Sequence, residues 1–276
     1  MPELPEVEVT RQFINESLSK GDKITKVELR RKDLRYEIPT ELKPLIKKSK
    51  FITVERRAKY LLWVFDNFQI INHLGMTGSW KALGKNNTLK KHDHVIFTLK
   101  NGDKLVYSDP RRFGYIDISK APYNETLKEH RFLKHLGLEP FDKKFTGQYL
   151  KDLSKKTNTP VKTFIMDQKI VVGVGNIYAC ESLFTAGISP SKKASRVTLE
   201  KYNVLVKEIK KTLKKAIKTG GSTISDFKTG DNQSGYFQMH FKVYQKTGKP
   251  CEKCGSLIKK IVLGGRGTFY CSKCQR

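Results

Sequence analysis

The sequence predicts an α+β protein with two domains, an N-terminal antiparallel β-sandwich or barrel with a flanking helix and a C-terminal helical domain that ends in a four-cysteine ribbon. The 276 residues exceed the usual length of one domain, ~100–200 residues. Short apolar runs of strand type occupy residues 24–118, whereas helical periodicity dominates from about residue 146. Two Cys-x-x-Cys pairs close the chain. The predicted segments are 1–120, a linker with a helix at 121–145, 146–235 and 236–276.

The first element is predicted to be a helix. Pro5 falls where a helix accepts its first residue, and Val7, Ile14 and Leu18 recur on one face before Gly21 ends the pattern. Strand-like runs follow, separated at two places by the turn dipeptides Asp-Asn and Asn-Gly. The predicted strands are Ile24–Leu29, Phe51–Val54, Tyr60–Phe65, Phe68–Ile71, Val95–Leu99, Lys104–Tyr107 and Phe113–Ile118.

Helical periodicity characterises the second half of the chain. A helix is predicted in the linker at Leu127–Leu136, between Pro122 and Pro140. The helices predicted after the linker are Tyr149–Leu153, Val161–Met166, Ile177–Ala186 and an amphipathic stretch at Leu199–Ile217.

The charge balance indicates a polyanionic partner. Lys and Arg number 54 against 27 Asp and Glu, a formal net charge of +27. Nucleic acid is favoured, because neutralising phosphates releases condensed counterions; an acidic membrane surface or a generally lysine-rich surface are the alternatives. There is no run of eighteen apolar residues and no signal-peptide pattern, so a cytoplasmic protein without membrane contact is expected.

The cysteine spacing predicts a metal site. Cys251 and Cys254 form one pair, Cys271 and Cys274 the other, with sixteen residues between them, which is typical of a four-thiolate zinc ribbon. A closed four-sulfur site is structural, so one structural zinc ion is expected; iron or an oxidised pair are the alternatives. The remaining cysteine, Cys180, is expected to be a buried small apolar residue.

The N-terminus offers a candidate nucleophile. Removal of Met1 would expose Pro2 as a secondary amine, and α-amino groups have pKa values of ~7.7–8.0, so part of the population is unprotonated near neutral pH. Amines form Schiff bases with carbonyl carbons, and the adjacent carboxylate of Glu3 can move the protons which that chemistry requires. The alternative is that the proline only protects the terminus.

Several loops carry candidates for nucleic-acid contacts. Met76 lies in a Gly-Met-Thr-Gly loop, and Arg111 and Phe113 follow an Asp-Pro turn; such side chains can wedge into a base stack, although core packing is the alternative for Met76 and Phe113. Asn176 follows Gly-Val-Gly at a predicted helix start, where amide groups can contact phosphate; a purely structural turn is the alternative. Arg266 lies near the expected tip of the ribbon hairpin, where it can bind a phosphate or be one basic residue of a solvated face.

Together these motifs resemble those of bacterial formamidopyrimidine-DNA glycosylases, repair enzymes for 8-oxoguanine and ring-opened purines. The resemblance covers nearly the whole chain and implies a two-layered β-sandwich, a helix–two-turns–helix domain and a zinc finger. The matching stretches are MPELPEVE, RRAKYLL, HLGMTG, DPRRFG, DQKIVVGVGNIYACESLF, GGSTISDF and GRGTFYCSKCQ.

The resemblance also implies roles for individual residues. Pro2 is similar to the family's nucleophile, Glu3 to its general acid/base, and Glu6 to a second carboxylate near the active centre. Lys59, grouped with the catalytic residues, is similar to the lysine that binds phosphates flanking the lesion. Further phosphate contacts are implied for His73, Asn176 and Arg266, and Lys162 is similar to a lysine near the damaged base. Three side chains are similar to those that fill the gap left by the flipped nucleotide: Met76, Arg111 and Phe113. Residues 222–236 are similar to the loop that covers the extruded base.

The expected activity is that of a base-excision-repair glycosylase and abasic-site lyase that acts through a Pro2 Schiff base, then β,δ-elimination. Its expected partner is double-stranded DNA with a damaged base, its expected state is a monomer, and its expected place is the bacterial cytoplasm at the nucleoid. One alternative is an endonuclease VIII-type glycosylase for oxidised pyrimidines, although LPE at residues 4–6 and the intact DPRRFG favour the purine enzyme. The other is a non-catalytic zinc-ribbon DNA-binding protein.

Overall fold

The structure, a computed structural model, describes residues 2–222 and 236–276. The chain divides into two compact units. The first unit contains residues 1–134 and 219–236, and the second contains residues 135–218 and 237–276.

The first unit begins with helix α1, Leu4–Ser17, close to the predicted position. Glu3 is its N-cap, and Glu3 and Glu6 form a reciprocal capping box that satisfies two backbone N–H groups of the first turn. The apolar face packs on the sheet that follows, with Val7 and Ile14 fully buried. Asn15 adds a polar anchor, because its side chain accepts from the N–H and donates to the carbonyl of Val54.

Two antiparallel four-stranded sheets form the core of the first unit, which confirms the predicted sandwich. The strand orders are β1-β6-β7-β5 and β2-β3-β4-β8. Trp63 of the second sheet packs on Trp80 of the first, with ring centroids 4.7 Å apart, so the core lies between the sheets. The strands are β1 Lys26–Leu29, β2 Phe51–Arg57, β3 Tyr60–Phe65, β4 Gln69–His73, β5 Ser79–Leu83, β6 Asp93–Thr98, β7 Lys104–Ser108 and β8 Tyr115–Ser119.

Two elements of this unit were not predicted, the strand β5 and the helix α2, Leu42–Lys48. The helix predicted at Leu127–Leu136 was placed wrongly. Helix α3 instead spans Tyr123–Glu129 and is followed by turns. The carbonyl of Pro122 accepts the first bond of α3, and the helix ends at Glu129 because the backbone of His130 is extended.

The second unit contains the remaining helices and a C-terminal hairpin. Between α5 and α6, residues 168–170 form a turn and residues 172–173 a bend, and Gly175 is the N-cap of α6. Helix α6 is buried along most of its length, and it packs against α7 and β10. The elements are α4 Gly147–Ser154, α5 Val161–Met166, α6 Asn176–Ala186, α7 Leu199–Lys218, β9 Lys259–Leu263 and β10 Arg266–Tyr270.

None of the helices within residues 2–222 and 236–276 combines the length and apolar character that a bilayer crossing requires.

Candidate active site and nucleic-acid interface

The N-terminal turn holds the predicted nucleophile beside two buried carboxylates. Pro2 is buried and directly precedes the N-cap of α1. The Glu3 carboxylate accepts from the backbone N–H of Glu6, and the backbone N–H of Glu3 donates to Glu6 Oε2 at 2.8 Å. Glu3 and Glu6 are only 3% and 2% exposed. The capping box therefore fixes both carboxylates next to Pro2.

Glu6 also binds the chain just before residues 223–235. Its Oε1 accepts from the Ser222 backbone N–H at 2.8 Å and from the Ser222 hydroxyl at 2.9 Å. Ser222 in turn forms an isolated antiparallel bridge with Tyr236. Both ends of the predicted base-covering loop are thus in place, whereas residues 223–235 of that loop lie outside the described residues.

An ion pair fixes α1 to the strand that leads to Lys59. Arg56 Nε donates to Glu8 Oε2 at 2.8 Å, and Arg11 binds the other oxygen. Burial raises the pKa of the Glu8 carboxyl, but the hydrogen bonds from Arg11 and Arg56 outweigh it, so the pKa is lowered overall. Lys59 follows in the turn between β2 and β3 and is 7% exposed. Ala58 before it has a φ of 56°, a left-handed conformation that a non-glycine residue adopts at some cost.

His73, at the end of β4, is enclosed by aromatic rings. It stacks on Tyr115 at 5.2 Å between centroids and meets Tyr60 edge-on at 5.0 Å. Desolvation, followed by repulsion from Lys59 and Arg35, lowers the pKa of His73 from 6.5 to about 4. The backbone N–H of Gly75 donates to His73 Nδ1 at 3.0 Å. The neutral ring therefore carries its proton on Nε2, where it can be donated to a phosphate oxygen.

The predicted wedge residues lie on two loops of the first unit. Phe113 is 45% exposed, so the core-packing alternative is wrong for this residue. Arg111 is also exposed, and its guanidinium lies 4.9 Å from the centre of the Phe113 ring. Met76 is half-buried. An exposed cation stacked on an exposed aromatic ring is a suitable surface for contact with unstacked bases.

In the second unit, the residues predicted to contact DNA meet in one hydrogen-bond network. Lys162, only 1% exposed, donates from Nζ to Asn176 Oδ1 and to Thr268 Oγ1, the latter at 2.8 Å. Asn176 Nδ2 donates to the carbonyl of Gly267 at 2.9 Å. Arg266 is exposed at the start of β10, next to this network. The start of α6 and the ribbon hairpin therefore form one polar surface.

The four predicted metal ligands converge. The sulfur atoms of Cys251, Cys254, Cys271 and Cys274 all lie within 4.8 Å of one another. The separations are 3.9 Å between Cys251 and Cys274 and 3.5 Å between Cys254 and Cys271. A tetrahedral zinc ion with Zn–S bonds of about 2.3 Å requires sulfur separations of roughly 3.8 Å, so the donor set fits one structural zinc ion. Cys180 lies 1% exposed in the apolar cluster beside these cysteines, as predicted.

Three buried polar residues of the site carry no sequence signal of their own. Thr77, Asp109 and Thr268 belong to the motifs HLGMTG, DPRRFG and GRGTFY, yet no pattern marks them as ligands or nucleophiles. Their partners lie 32 and 106 residues away along the chain, so the pairing becomes visible only in the fold.

Comparisons with known proteins match the whole chain. The N-terminal domain profile of formamidopyrimidine-DNA glycosylase matches residues 1–116, its H2TH domain profile matches 136–228, and the zinc finger found in FPG and IleRS matches 248–276. The formamidopyrimidine-DNA glycosylases of Bdellovibrio bacteriovorus and Rickettsia conorii are each 45% identical, over 100% of this chain and 100% and 99% of theirs.

Solved structures agree with these matches. A variant of Lactococcus lactis FPG with Fapy-dG-containing DNA is 31% identical with a TM-score of 0.89 over 100% of both chains. The same bacterium's Fpg with abasic-site DNA has a TM-score of 0.90 at 31% identity over 99% of both chains.

The sandwich, the helix–two-turns–helix unit and the zinc ribbon, with Pro2 buried beside two carboxylates, identify the protein as a DNA glycosylase with a structural zinc finger. Within this class, the chain belongs to the formamidopyrimidine-DNA glycosylase family.

Proposed function

We propose that the protein is a bifunctional base-excision-repair enzyme that removes oxidised purines, 8-oxoguanine and formamidopyrimidines, from duplex DNA and then cleaves the abasic site by β,δ-elimination. The observation that carries this proposal is the capping box that holds the Glu3 carboxylate beside Pro2. The related Lactococcus lactis structures contain Fapy-dG DNA and abasic-site DNA, which supports both steps.

The chemistry requires a secondary amine. The nitrogen of such an amine first forms a single bond to a carbon atom and then a C=N double bond, which gives an iminium ion without an N–H group. After removal of Met1, the Pro2 nitrogen attacks C1′, the glycosidic bond breaks and the base leaves with its electron pair, while the proton of the amine passes to the Glu3 carboxylate. Glu3 protonates the sugar ring oxygen as the ring opens, which leaves an iminium ion. The iminium acidifies the C2′–H bond, so the 3′ phosphate leaves first and the 5′ phosphate follows. The positive end of α1 disfavours protonated Pro2 and so keeps the amine reactive.

The other predicted residues are proposed to hold the substrate. Lys59 and His73 in the first unit, and Asn176 and Arg266 in the second, are assigned to phosphates around the lesion. A base cannot be excised within the stack, so the target nucleotide must leave the duplex. Three side chains are assigned to the space that it leaves: Met76, Arg111 and Phe113. Lys162 is assigned to a position near the damaged base. The net charge of +27 supplies sequence-independent affinity for duplex DNA.

Borohydride trapping tests this function. Wild-type protein, with Met1 removal verified by intact mass, should form a covalent adduct with a duplex containing 8-oxoguanine opposite cytosine. Pro2→Gly should lose most of the adduct, because it replaces the secondary amine of the proline ring with a primary amine that no ring holds in position. Pro44→Gly, at an exposed proline of the same unit, is the matched control and should trap normally. Absence of any wild-type adduct would instead support a non-catalytic DNA-binding protein.

Oxidised pyrimidines are the alternative substrate class to oxidised purines. One Lactococcus lactis Fpg structure, 31% identical with a TM-score of 0.90, contains DNA with an oxidised pyrimidine. Duplexes with 8-oxoguanine and with thymine glycol should therefore be compared under single-turnover conditions. We expect faster excision of the purine, and a preference for thymine glycol would favour the endonuclease VIII-type alternative.

The protein is proposed to be a monomer that associates with the nucleoid through DNA binding. Each unit has its own core, and each carries one part of the predicted DNA-contacting set. Light scattering of the free protein and of its complex with one duplex is expected to give one chain in each; a dimer in both would contradict this assignment.

A further inference from the structure

We propose that Thr77 and Asp109 are positioning residues that lock the two wedge loops, residues 74–78 and 109–114, into one rigid unit. Met76 lies on the first loop, and Arg111 and Phe113 lie on the second. The lock makes the three side chains enter the duplex together. This inference rests on the proposed function, since it concerns how the target nucleotide is extruded.

One carboxylate binds both loops. Asp109 Oδ1 accepts from the hydroxyl of Thr77 at 2.5 Å, and Asp109 Oδ2 accepts from the backbone N–H of Gly114 at 2.8 Å. The same Thr77 oxygen accepts from the backbone N–H of Arg111 at 3.1 Å. Thus the hydroxyl beside Met76 fixes the backbone of Arg111, and the carboxylate holds the residue after Phe113.

The two loops also touch through their backbones. Gly75 has a φ of 65°, and a Cβ atom at this position would collide with the backbone atoms of Phe113 and Gly114. Glycine is therefore required for the close approach of the loops. A side chain at Gly75 would separate Met76 from Phe113 even if the Thr77–Asp109 bond survived.

The link is shielded from water. Asp109 is 0% exposed and Thr77 is 5% exposed, whereas Phe113 and Arg111 project outward from the same loops. Hydrogen bonds to a carboxylate are stronger than neutral ones, and burial removes competition from water. Fixing exposed recognition side chains on a buried polar support reduces the ordering cost that is incurred when they bind.

A purely structural role is the competing explanation, and the chain provides a matched control for it. Thr126 is also buried in the first unit, at 1% exposure, and its hydroxyl donates to Gln69 Oε1 at 2.7 Å. Thr126 lies outside both wedge loops. Thr126→Val removes a buried, hydrogen-bonded threonine hydroxyl of the same kind without touching Met76, Arg111 or Phe113.

The experiment compares Thr77→Val, Thr77→Ser, Asp109→Asn and Thr126→Val with the wild type. Three quantities are measured: the single-turnover rate of 8-oxoguanine excision from duplex DNA, borohydride trapping on a single-stranded oligonucleotide with an abasic site, and the fluorescence of 2-aminopurine opposite a tetrahydrofuran abasic analogue. Thermal unfolding verifies that each variant is folded. The single-stranded substrate needs no wedge, and the fluorescence signal needs no chemistry.

We expect Thr77→Val to slow duplex excision roughly 10- to 100-fold and to reduce the 2-aminopurine signal, because small misplacements of positioning groups cost about this much. Thr77→Ser should restore both, Asp109→Asn should resemble Thr77→Val, and trapping on the single strand should be unchanged throughout. Thr126→Val should excise at the wild-type rate even if it unfolds at lower temperature.

Three results would overturn the inference: wild-type excision and fluorescence in Thr77→Val, equal losses in Thr77→Val and Thr126→Val, or an equal loss on duplex and single-stranded substrates. If the wild type itself fails to trap or excise, the proposed chemistry is wrong. The 2-aminopurine signal then still decides whether Thr77 and Asp109 control the insertion of the loops.

Discussion

Lys162 and Asn176 form a partly buried hydrogen bond that joins α5 to the first residue of α6. The bond occupies the Asn176 carbonyl oxygen, while one Nδ2–H of the same amide binds the carbonyl of Gly267 in β10. Among the described residues, the second Nδ2–H group of this amide is the one that we assign to a phosphate ligand. Asn176 serves both as a proposed phosphate contact and as a link between the two-turn segment and the ribbon hairpin.

Replacing Asn176 with Asp tests the phosphate contact. An Asp carboxylate still accepts from Lys162, and negative charge at a helix N-terminus is favourable, but the donor to the Gly267 carbonyl is lost. The unfolding temperature should therefore fall modestly, and binding is compared at a temperature where both proteins are folded. A phosphate would be repelled, and the affinity for a duplex with an abasic analogue should fall roughly tenfold or more, equivalent to about 1.4 kcal/mol. Fluorescence anisotropy measures this affinity. Asn158→Asp adds the same charge at an exposed site of the same unit and should bind like wild type.

The lowered pKa of His73 predicts a pH dependence of stability. The folded-state pKa of about 4 lies below the unfolded value near 6.5, so the unfolded chain binds this proton more tightly. The contribution of His73 to stability is complete above pH 6.5 and is lost as the pH falls from 6.5 to about 4. The loss amounts to roughly 3 kcal/mol.

His73→Gln should remove this part of the pH dependence, because an amide does not titrate but still offers an N–H donor. Urea unfolding of both proteins between pH 4 and pH 7.5 measures the effect, and a histidine-resolved NMR titration gives the pKa directly. A His73 pKa near 6.5, or identical pH profiles for the two proteins, would contradict the neutral-donor assignment.

Most of the fold could be predicted from the sequence because turn dipeptides and alternating apolar residues are local signals. Helix α2 was missed because it contains Pro44 within its first turn, where a missing backbone N–H is tolerated. Strand β5 was missed because Trp80 is its only fully buried side chain, so its alternation is weak. The Thr77–Asp109 and Lys162–Thr268 bonds could not be predicted, since side chains of widely separated segments leave no periodic pattern.

Glu6→Gln should weaken the attachment of Ser222. The Glu6 carboxylate accepts hydrogen bonds from the backbone N–H of Glu3 and from the N–H and hydroxyl of Ser222. A glutamine amide would place its own N–H groups against one of these donors and leave it unsatisfied, at a cost of about 1–3 kcal/mol. Hydrogen exchange of the Ser222 region should speed up in this variant. Unchanged protection would mean that the Gly221–Ser222 segment is held by other contacts.

A matched variant distinguishes the carboxylate from the serine. Ser222→Ala removes the hydroxyl but keeps the backbone N–H bond to Glu6, so its exchange rate should lie between those of wild type and Glu6→Gln. If Ser222→Ala has the larger effect, the hydroxyl rather than the carboxylate dominates the attachment.

The zinc ribbon should be required for DNA affinity but not for the chemistry at Pro2. Cys254→Ser removes one of four thiolates, and a ribbon of this size depends on its metal for folding. We expect loss of the bound zinc, a less stable β9–β10 hairpin and weaker duplex binding, because Arg266 and the Thr268 contact with Lys162 both belong to β10. Cys180→Ala is the control: it alters the same apolar cluster but should retain one zinc per chain.

Treating the wild type with a chelator should reproduce the Cys254→Ser phenotype, and metal content by mass spectrometry should follow DNA affinity. Borohydride trapping at saturating concentrations of abasic-site DNA should persist in both cases, since Pro2, Glu3 and Glu6 lie in the first unit and β9–β10 in the second. Normal duplex binding by zinc-free Cys254→Ser would show that the ribbon does not dock DNA. Loss of trapping even at saturation would show that the ribbon also supports the chemical site.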